Sequence, residues 1–486
     1  MASKNSFFNN FIWRFLERCG AQLVAFAVSI VLARVLDPKV YGTVALVTVF
    51  TAIMQVFIDS GVGTALIQKK EADDLDFSTV FFFNLGLCLL LYAVMFFCAP
   101  LVSDFYGIPE LTEIVRVLSL TIIISGVKNI QQAYVSRNMM FKRFFFATLG
   151  GTVGAAVLGI WMAYRGYGVW ALVAQHLFNT AMDTLILWIT VKWRPRWMFS
   201  WNRLKELFSY GWKLLVSGLM DSVYNELRQM IIGKLYTTQD LAHYNRGKQF
   251  PFLIINNVNT SIDSVLLPTL AKEQDDKSRV RSMTRRAIKT STYIMAPLMM
   301  GLAFIAEPLI KLLLTEKWLP CVPFLRIFCI TYMFYPIHTA NLNAIKAMGR
   351  SDLYLKLEII KKVIGVVVLL CTMWHGVEIM AYSLLLTSVA SQIVNSWPNR
   401  KLLDYSYIDQ MKDILPSILL ALFMGACVYW IGILEMNNLL ILLLQIALGA
   451  ALYIGGSMLF RLEAYGYLVR QLRRFFKRRS KDDKAA

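Results

Sequence analysis

The sequence predicts an all-α integral membrane protein of about 14 transmembrane helices. It also predicts two six-helix lobes related by a pseudo-two-fold axis along the membrane normal, followed by two further C-terminal helices. Three observations carry this. Only 17% of the 486 residues are charged while 57% are hydrophobic, with a mean hydropathy of +0.53; a soluble chain carries about 25% charge. Apolar runs bounded by Gly, Pro and charged turns recur along the chain, each able to cross about 30 Å of hydrocarbon at about 1.5 Å per residue. The first twelve runs, finally, form two copies of one pattern.

In chain order the runs cover about 12–36, 41–67, 78–100, 111–134, 144–164, 168–191, 207–235, 247–271, 287–314, 322–346, 356–374, 377–397, 412–434 and 437–460. Near the start, Ala25-Phe26-Ala27 mimics a signal-cleavage site, but the apolar run before it is short and carries Arg18, so the first span reads as a retained anchor. Lys and Arg divide as roughly 34 on the even-numbered connections and the termini, 8 on the odd-numbered ones and 8 in the spans, which places both termini in the cytoplasm. The net charge of +19 therefore reflects orientation, and no nucleic-acid partner is expected. The basic turns 192–197 and 277–286 read as orientation signals that touch anionic lipid. No connection exceeds about twenty residues, which leaves no room for a soluble domain.

The seven cysteines, without C-x-x-C or framework spacing, read as small core residues. Trp193, Trp197, Trp318 and Trp374 sit at span ends and read as an interfacial belt. The basic tail from Arg461 to Lys484, with Leu, Tyr and Phe interleaved, fits a helix lying on an anionic inner leaflet; a partner-binding tail is the lesser alternative.

The repeat is read from three segments. FIDSGVGTALIQKKEADD (Phe57 to Asp74) recurs in outline as SIDSVLLPTLAKEQDD (Ser261 to Asp276), VRVLSLT (Val115 to Thr121) as LRIFCIT (Leu325 to Thr331), and RGYGVWAL (Arg165 to Leu172) as HGVEIMAY (His375 to Tyr382). The expected organisation is an N-terminal lobe at 1–200 (spans 1–6), a C-terminal lobe at 201–400 (spans 7–12), two additional spans at 401–460 and a basic cytoplasmic tail at 461–486.

Span 7, from Leu207 to Tyr236, has a polar middle. At 100° per residue Lys213, Tyr224, Ser217, Arg228, Asp221 and Asn225 share an arc of roughly 120°. Its counterpart, span 1, gathers Arg14, Arg18, Gln22, Ala25 and Ser29 in roughly 80°. Charges near mid-membrane cost roughly 2.5 to 3.5 kcal/mol each on insertion scales and so face a bundle interior or water. Two cationic stripes on related helices suit a cleft between two bundles that accepts a phosphate-bearing head group. The candidate cavity residues are Arg18, Lys213, Arg228, Asp221, Tyr224 and Asn225, with Asn256 and Asn259 on span 8; Arg14, Arg116, Lys128 and Arg326 are secondary candidates. The alternative for each base is an intramembrane ion pair or a snorkelling stem, which Arg116 and Arg326 favour by lying near the outer ends of their spans.

Acidic residues in the spans are Glu17, Asp59, Asp183, Asp221, Glu226, Asp263 and Glu358. Glu358 is spaced for a local salt bridge with Lys361 or Lys362. Asp59 and Asp263, equivalent in the repeat, suggest a shared fold role such as pairing with a cytoplasmic loop, and Asp221 is expected to partner Lys213 and Arg228 rather than carry a proton. Asn256, Asn259, Thr260 and Asp263 share a face that suits sugar hydroxyls or neighbouring helices, and Gln131, Gln132, Asn341 and Asn343 form a similar patch. No phosphate-binding Gly loop, H-E-x-x-H or G-x-S-x-G is present and the four histidines are scattered, so no catalytic residue, metal or cofactor is expected. Coupling to a proton gradient, a sodium gradient or the membrane potential is left open.

SIVLARVLDPKVYGTVALVTVF (Ser29 to Phe50) and FIDSGVGTALIQKKEADDLDFSTVFFFNLG (Phe57 to Gly86) closely resemble the polysaccharide transporters of the multidrug, oligosaccharidyl-lipid and polysaccharide exporter superfamily, in the subgroup of lipopolysaccharide and exopolysaccharide biosynthesis flippases. The resemblance continues through AYVSRNMMFKR (Ala133 to Arg143) and RGYGVWALVAQ (Arg165 to Gln175) and weakens in the second half. It implies twelve core helices in two lobes plus two, a location in the cell inner (cytoplasmic) membrane, and alternating access that moves a polyprenyl-pyrophosphate-linked oligosaccharide to the outer leaflet. Arg18, Lys213 and Arg228 match by position the cationic cavity of related lipid flippases. Partners implied are the lipid-linked oligosaccharide, membrane lipids and other polysaccharide-assembly proteins. The alternatives are a multidrug or organic-cation antiporter of the same superfamily, whose pocket should be acidic and aromatic, and a membrane polymerase or ligase, which the short outer loops disfavour.

Overall fold

The described backbone of the computed structural model runs from Lys4 to Asp482, apart from residues 60–62, 64–65, 67–68, 70–71, 139, 433 and 435; the side chains of residues 1–19, 141, 210, 472 and 474 onward also lie outside the description. Among the described residues all long elements are helices: α1 (Lys4–Val35), α2 (Pro38–Asp59), α3 (Asp74–Tyr106), α4 (Leu111–Leu118), α5 (Leu120–Arg137), α6 (Phe141–Tyr164), α7 (Val169–Thr190), α8 (Trp201–Leu235), α9 (Thr238–Lys272), α10 (Lys277–Phe304), α11 (Ala306–Leu314), α12 (Val322–Met333), α13 (Tyr335–Ala347), α14 (Ser351–Thr372), α15 (Val377–Leu403), α16 (Tyr407–Ile431), α17 (Asn438–Leu459) and α18 (Glu463–Asp482).

Every expected span has its helix, but spans 4, 9 and 10 are each built from two pieces. The ninth bends by 66° between α10 and α11. The tenth breaks at Phe334 ahead of Pro336, which has no N–H to continue the ladder. Seven of the described helices, or eight if the bent pair is one span, are long and apolar enough to cross a bilayer on composition alone. Others fall short because they are polar inside: α8 through Lys213, Asp221, Glu226 and Arg228, α14 through Lys356, Glu358, Lys361 and Lys362. The 35 residues of α8 give about 52 Å of helix, well beyond a hydrocarbon core of about 30 Å.

The chain divides into two compact units, Met1–Ala242 and His243–Ala486. The first thus includes α8, the opening helix of the second sequence copy. Its lower end joins the core of the first unit, where Leu204 and Leu207 cluster with Phe77, Phe81, Ile130 and Leu187. Start signals are explicit here: Asp73 caps α3 in a reciprocal box with Asp76, and the Asp76 backbone N–H holds the Asp73 carboxyl below the usual range. The 192–197 turn is strapped to this start. Trp193 Nε1 donates to Asp74 Oδ1 at 3.1 Å, the Arg196 N–H to Ser78 Oγ at 3.1 Å, and Arg196 pairs with Asp74 at 3.3 Å.

The interfacial belt needs correction at two positions. Trp193 is buried, with Phe77 and Tyr134 at ring distances of 5.6 and 6.0 Å. Trp318 is fully buried beneath the Arg246 guanidinium, 4.8 Å from its ring. Trp197 and Trp374 are exposed, as a belt requires.

In the second unit the two extra helices dock on α10. Tyr293 donates to Ser457 Oγ at 2.9 Å and Tyr453 donates to the Tyr293 carbonyl at 2.9 Å. Gln410 of α16 joins Asn341 of α13 and Asn399 of α15 in a fully buried amide network, with Asn341 Nδ2 on Gln410 Oε1 at 2.8 Å and Asn399 Nδ2 on Asn341 Oδ1 at 2.7 Å. At the basic end Arg285 grips Asp413 with two bonds of 2.6 and 2.7 Å, and Lys289 bridges Asp413 and Glu463. The Lys289 hydrogen bond holds the Glu463 carboxyl below its ordinary value. Part of the 277–286 basic segment is therefore spent on internal pairs, Lys277 with Asp404 at 2.9 Å and Arg279 with Glu273 at 2.8 Å included.

Gly42 packs directly against the backbone of Thr238 in the first unit. A Cβ there would stand 1.7 Å from the Thr238 carbonyl oxygen, so the start of α2 reaches Thr238 only as glycine. Gly42→Ala should cost at least about 1–3 kcal/mol through overpacking and lower the melting temperature of the purified protein. Gly86→Ala, where a Cβ meets nothing within 4 Å, should leave it unchanged or raised. Equal melting of both variants contradicts the packing described.

Candidate functional site

On α8 the four residues Lys213, Ser217, Asp221 and Asn225 follow one another at a spacing of four, and all four are exposed. Tyr224 beside them is half-buried and Arg228, one turn on, is 9% exposed. Phe208, Trp212, Val216, Met220 and Val223, off this row, are exposed too. The helix thus has an apolar face suited to hydrocarbon and a polar row that is not. Lys213 in this exposed row is ill suited to hydrocarbon, which would cost it several kcal/mol. Lys213 makes no ion pair or hydrogen bond among the described residues, and neither do the side chains of Asn225 and Asn256. On α1, Arg14 and Arg18 fall in the helix but their side chains lie outside the described residues.

The other sequence candidates are engaged elsewhere. Lys128 of α5 pairs with Asp183 of α7 at 3.0 Å, both side chains largely buried. Arg116 donates through Nε to the Phe96 carbonyl at 3.3 Å with its guanidinium 4.3 Å over the Phe96 ring. Arg326 repeats the first contact on the Ala303 carbonyl at 3.3 Å. Asn259 accepts from Thr339 Oγ1 at 2.5 Å. Asn256 is exposed on α9. Glu358 pairs with Lys361 at 2.6 Å, the local bridge its spacing predicts.

These contacts expose the repeat at the level of atoms. In the first unit Gln55 and Asn129 both donate to Asp59 Oδ1, at 2.8 and 3.1 Å. In the second, Thr339 bonds Asn259 and Asn343 donates to Asp263 Oδ1 at 2.9 Å. Gln55 and Asp59 map on Asn259 and Asp263, and Asn129 on Thr339, so one polar ladder joins the second and fourth helices of each copy. The aspartates occupy like settings in the two copies, each accepting from an amide of the fourth helix; most of the loop that follows Asp59 lies outside the described residues. Lys128 has His338 at its repeat position, 3.2 Å from Asn395, and Asp183 has Ile393 at its own, so the charged pair of the first copy is not repeated in the second. Gly166 and Gly376, aligned in sequence, both adopt positive φ (81° and 102°).

Sequence reading named Lys128 and Asp183 separately and missed the pair. A base and an acid, each alone in an apolar span of the same copy, is the signal that could have joined them. It also missed Asn399 and Gln410, whose burial no periodicity marks.

Two six-helix patterns of broken and polar helices with two further helices define the fold, that of a multi-pass helical membrane protein. The chain is similar to the solved lipid II flippase MurJ in its inward closed conformation, at a TM-score of 0.77, 15% identity, 94% of this chain and 100% of that one. It is also similar to an inward-facing multidrug resistance transporter of the MATE family in the MOP superfamily, at a TM-score of 0.62, 16% identity, 79% of this chain and 94% of that one. The chain belongs to the polysaccharide biosynthesis protein family, whose model matches residues 31–323. Relatives include the teichuronic acid biosynthesis protein TuaB of Bacillus subtilis (strain 168), 25% identical over 62% of this chain and 63% of that protein. The succinoglycan biosynthesis transport protein ExoT of Rhizobium meliloti (strain 1021) is 23% identical over 66% and 65%. The lipopolysaccharide biosynthesis protein WzxC of Escherichia coli (strain K12) is 24% identical over 68% of each chain. The matches with TuaB and ExoT span just under two thirds of those proteins.

Removing one partner of the Lys128–Asp183 pair leaves a lone charge in a dry place. Asp183→Ala should cost about 3–5 kcal/mol, read as a fall in melting temperature, while Lys128→Met with Asp183→Leu should recover most of it. Single and double variants melting alike contradict a paired setting.

Proposed function

We propose that the protein is a flippase that moves a polyprenyl-pyrophosphate-linked oligosaccharide from the inner to the outer leaflet of the cytoplasmic membrane by alternating access, for cell-surface polysaccharide synthesis. The observation that carries this reading is the exposed α8 row with Lys213 at its head, in a chain of the polysaccharide biosynthesis family. A pyrophosphate is a dense anion whose oxygens take charge-assisted hydrogen bonds, and Lys213, which has no partner among the described residues, is available to give them. Arg228 lies further along the same helix, Arg18 and Arg14 supply the matching stripe on α1, and Asp221 keeps the row from being uniformly cationic. Tyr224, Asn225 and Asn256 present hydroxyl and amide groups suited to sugar hydroxyls.

In this reading both termini are cytoplasmic and the basic tail helix α18 lies on the inner leaflet. The work is transport driven by a proton or sodium gradient or by the membrane potential, with no bond made or broken and no resident cofactor or metal. Assembly proteins that build or lengthen the glycan are the expected partners. An organic-cation antiporter would want net negative charge in its row; here bases outnumber acids on α8 and α1.

The test is translocation in proteoliposomes of a fluorescent polyprenyl-pyrophosphate-linked glycan. Lys213→Ala should slow it about tenfold, the scale of one charge-assisted hydrogen bond, with Lys213→Arg retaining most of the rate and Arg228→Ala impaired as well. Unchanged rates in Lys213→Ala and Arg228→Ala, or efflux of a cationic dye in place of the glycan, contradict the proposal.

A further inference from the structure

The polar ladder that joins α9 to α13 in the second unit closes only part of their seam. Thr339 holds Asn259 and Asn343 holds Asp263. One turn nearer the start of each helix stand Asn256 and Tyr335, and there the ladder has no rung: Asn256 is exposed and its side-chain amide has no partner among the described residues. Aromatic rings take over at this end. Phe252 is 47% exposed with its ring centroid 6.4 Å from that of Tyr332, and Tyr335, 46% exposed, lies 6.2 Å from the same ring.

Neither exposed ring sits on a face made for hydrocarbon. At 100° per residue Phe252 shares an arc of about 60° with Asn256, Asn259 and Asp263. Tyr335 heads α13 at the break after Phe334, and irregular backbone at membrane depth is found buried in protein or lining a wet cavity; Tyr335 is not buried. The first copy is built differently here. By the spacings that align the two ladders, Phe252, Asn256 and Tyr335 stand where it has Thr48, Ala52 and Ser125, three small residues, of which Ser125 is buried. An amide that gives and takes hydrogen bonds beside exposed rings is what a pyranose calls for, with hydroxyls at its edge and an apolar C–H face. Between Lys248 and Lys272 the charged residue of α9 is Asp263 alone. A uronate or phosphate would meet a carboxylate there with no base of the same helix to offset it, so the sugar that fits is uncharged.

We propose that this seam is a subsite for uncharged pyranose units of the glycan, whose C–H face lies on Tyr335 and Phe252 and whose hydroxyls bond to Asn256. That the glycan arrives on a lipid rests on the function proposed above; that neutral sugars are recognised here does not. Sugar binding is read without lipid carrier, pyrophosphate or transport, so the two readings fail separately.

The test is saturation-transfer NMR of the full-length protein in phosphatidylcholine nanodiscs with the methyl glycosides of glucose, galactose and mannose, each beside its uronate counterpart. Wild type should bind at least one neutral glycoside, with transfer strongest at its C–H protons, and bind the matching uronate more weakly. Tyr335→Ala and Phe252→Ala should each weaken that binding about fivefold, the scale of one aromatic contact, while Tyr335→Phe, which keeps the ring, retains it. Asn256→Lys should turn the preference toward the uronate, a gain that misfolding cannot produce. Binding unchanged in both alanine variants, absent for every neutral glycoside, or equal for the uronates overturns the subsite.

Discussion

An ionised side chain at the depth of a bilayer has two stable settings: a partner within hydrogen-bonding reach, or water. The chain uses the first almost everywhere the contacts can be followed. Lys128 has Asp183, Glu358 has Lys361, Arg116 has a carbonyl and a ring, and the buried amides of Asn341, Asn399 and Gln410 hydrogen-bond to one another. Against that economy, Lys213 has no partner among the described residues and heads an exposed row with Ser217, Asp221 and Asn225 along three turns of α8. The function proposed rests on this contrast, because a transport path is a place where polar groups are kept wet on purpose.

The two copies use one scaffold and spend it differently. The polar ladder from the second helix to the fourth recurs in both, as do the Arg-to-carbonyl clasp and the positive-φ glycines. The divergences are equally local: Lys128 and Asp183 against His338 and Ile393, Phe96 against Ala303 as the carbonyl that the arginine grips. The first removes a buried charge pair from the second unit.

Much of the fold was legible in the sequence because membrane helices announce themselves by length and hydropathy, and because the repeat fixes their pairing. The polar stripe of α8 was legible for the same reason, since one helical period places Lys213 and Asp221 together whatever surrounds them. What was not legible depends on neighbours far along the chain. Nothing local says that Trp193 turns inward onto Phe77 and Tyr134, that Trp318 lies under Arg246, or that Lys128 reaches Asp183 across 55 residues. Asn259 reads as a sugar ligand until Thr339 is found against it.

The central claim is that the polar row of α8 faces water inside the membrane. In intact membranes carrying a cysteine-free variant, single cysteines at positions 213, 217, 221 and 225 would be challenged with a small membrane-impermeant thiol reagent, beside cysteines at 212, 216, 220 and 223. The account predicts that the first set is modified and the second, facing hydrocarbon, is not. Modification confined to the second set, or absent from both, would contradict it.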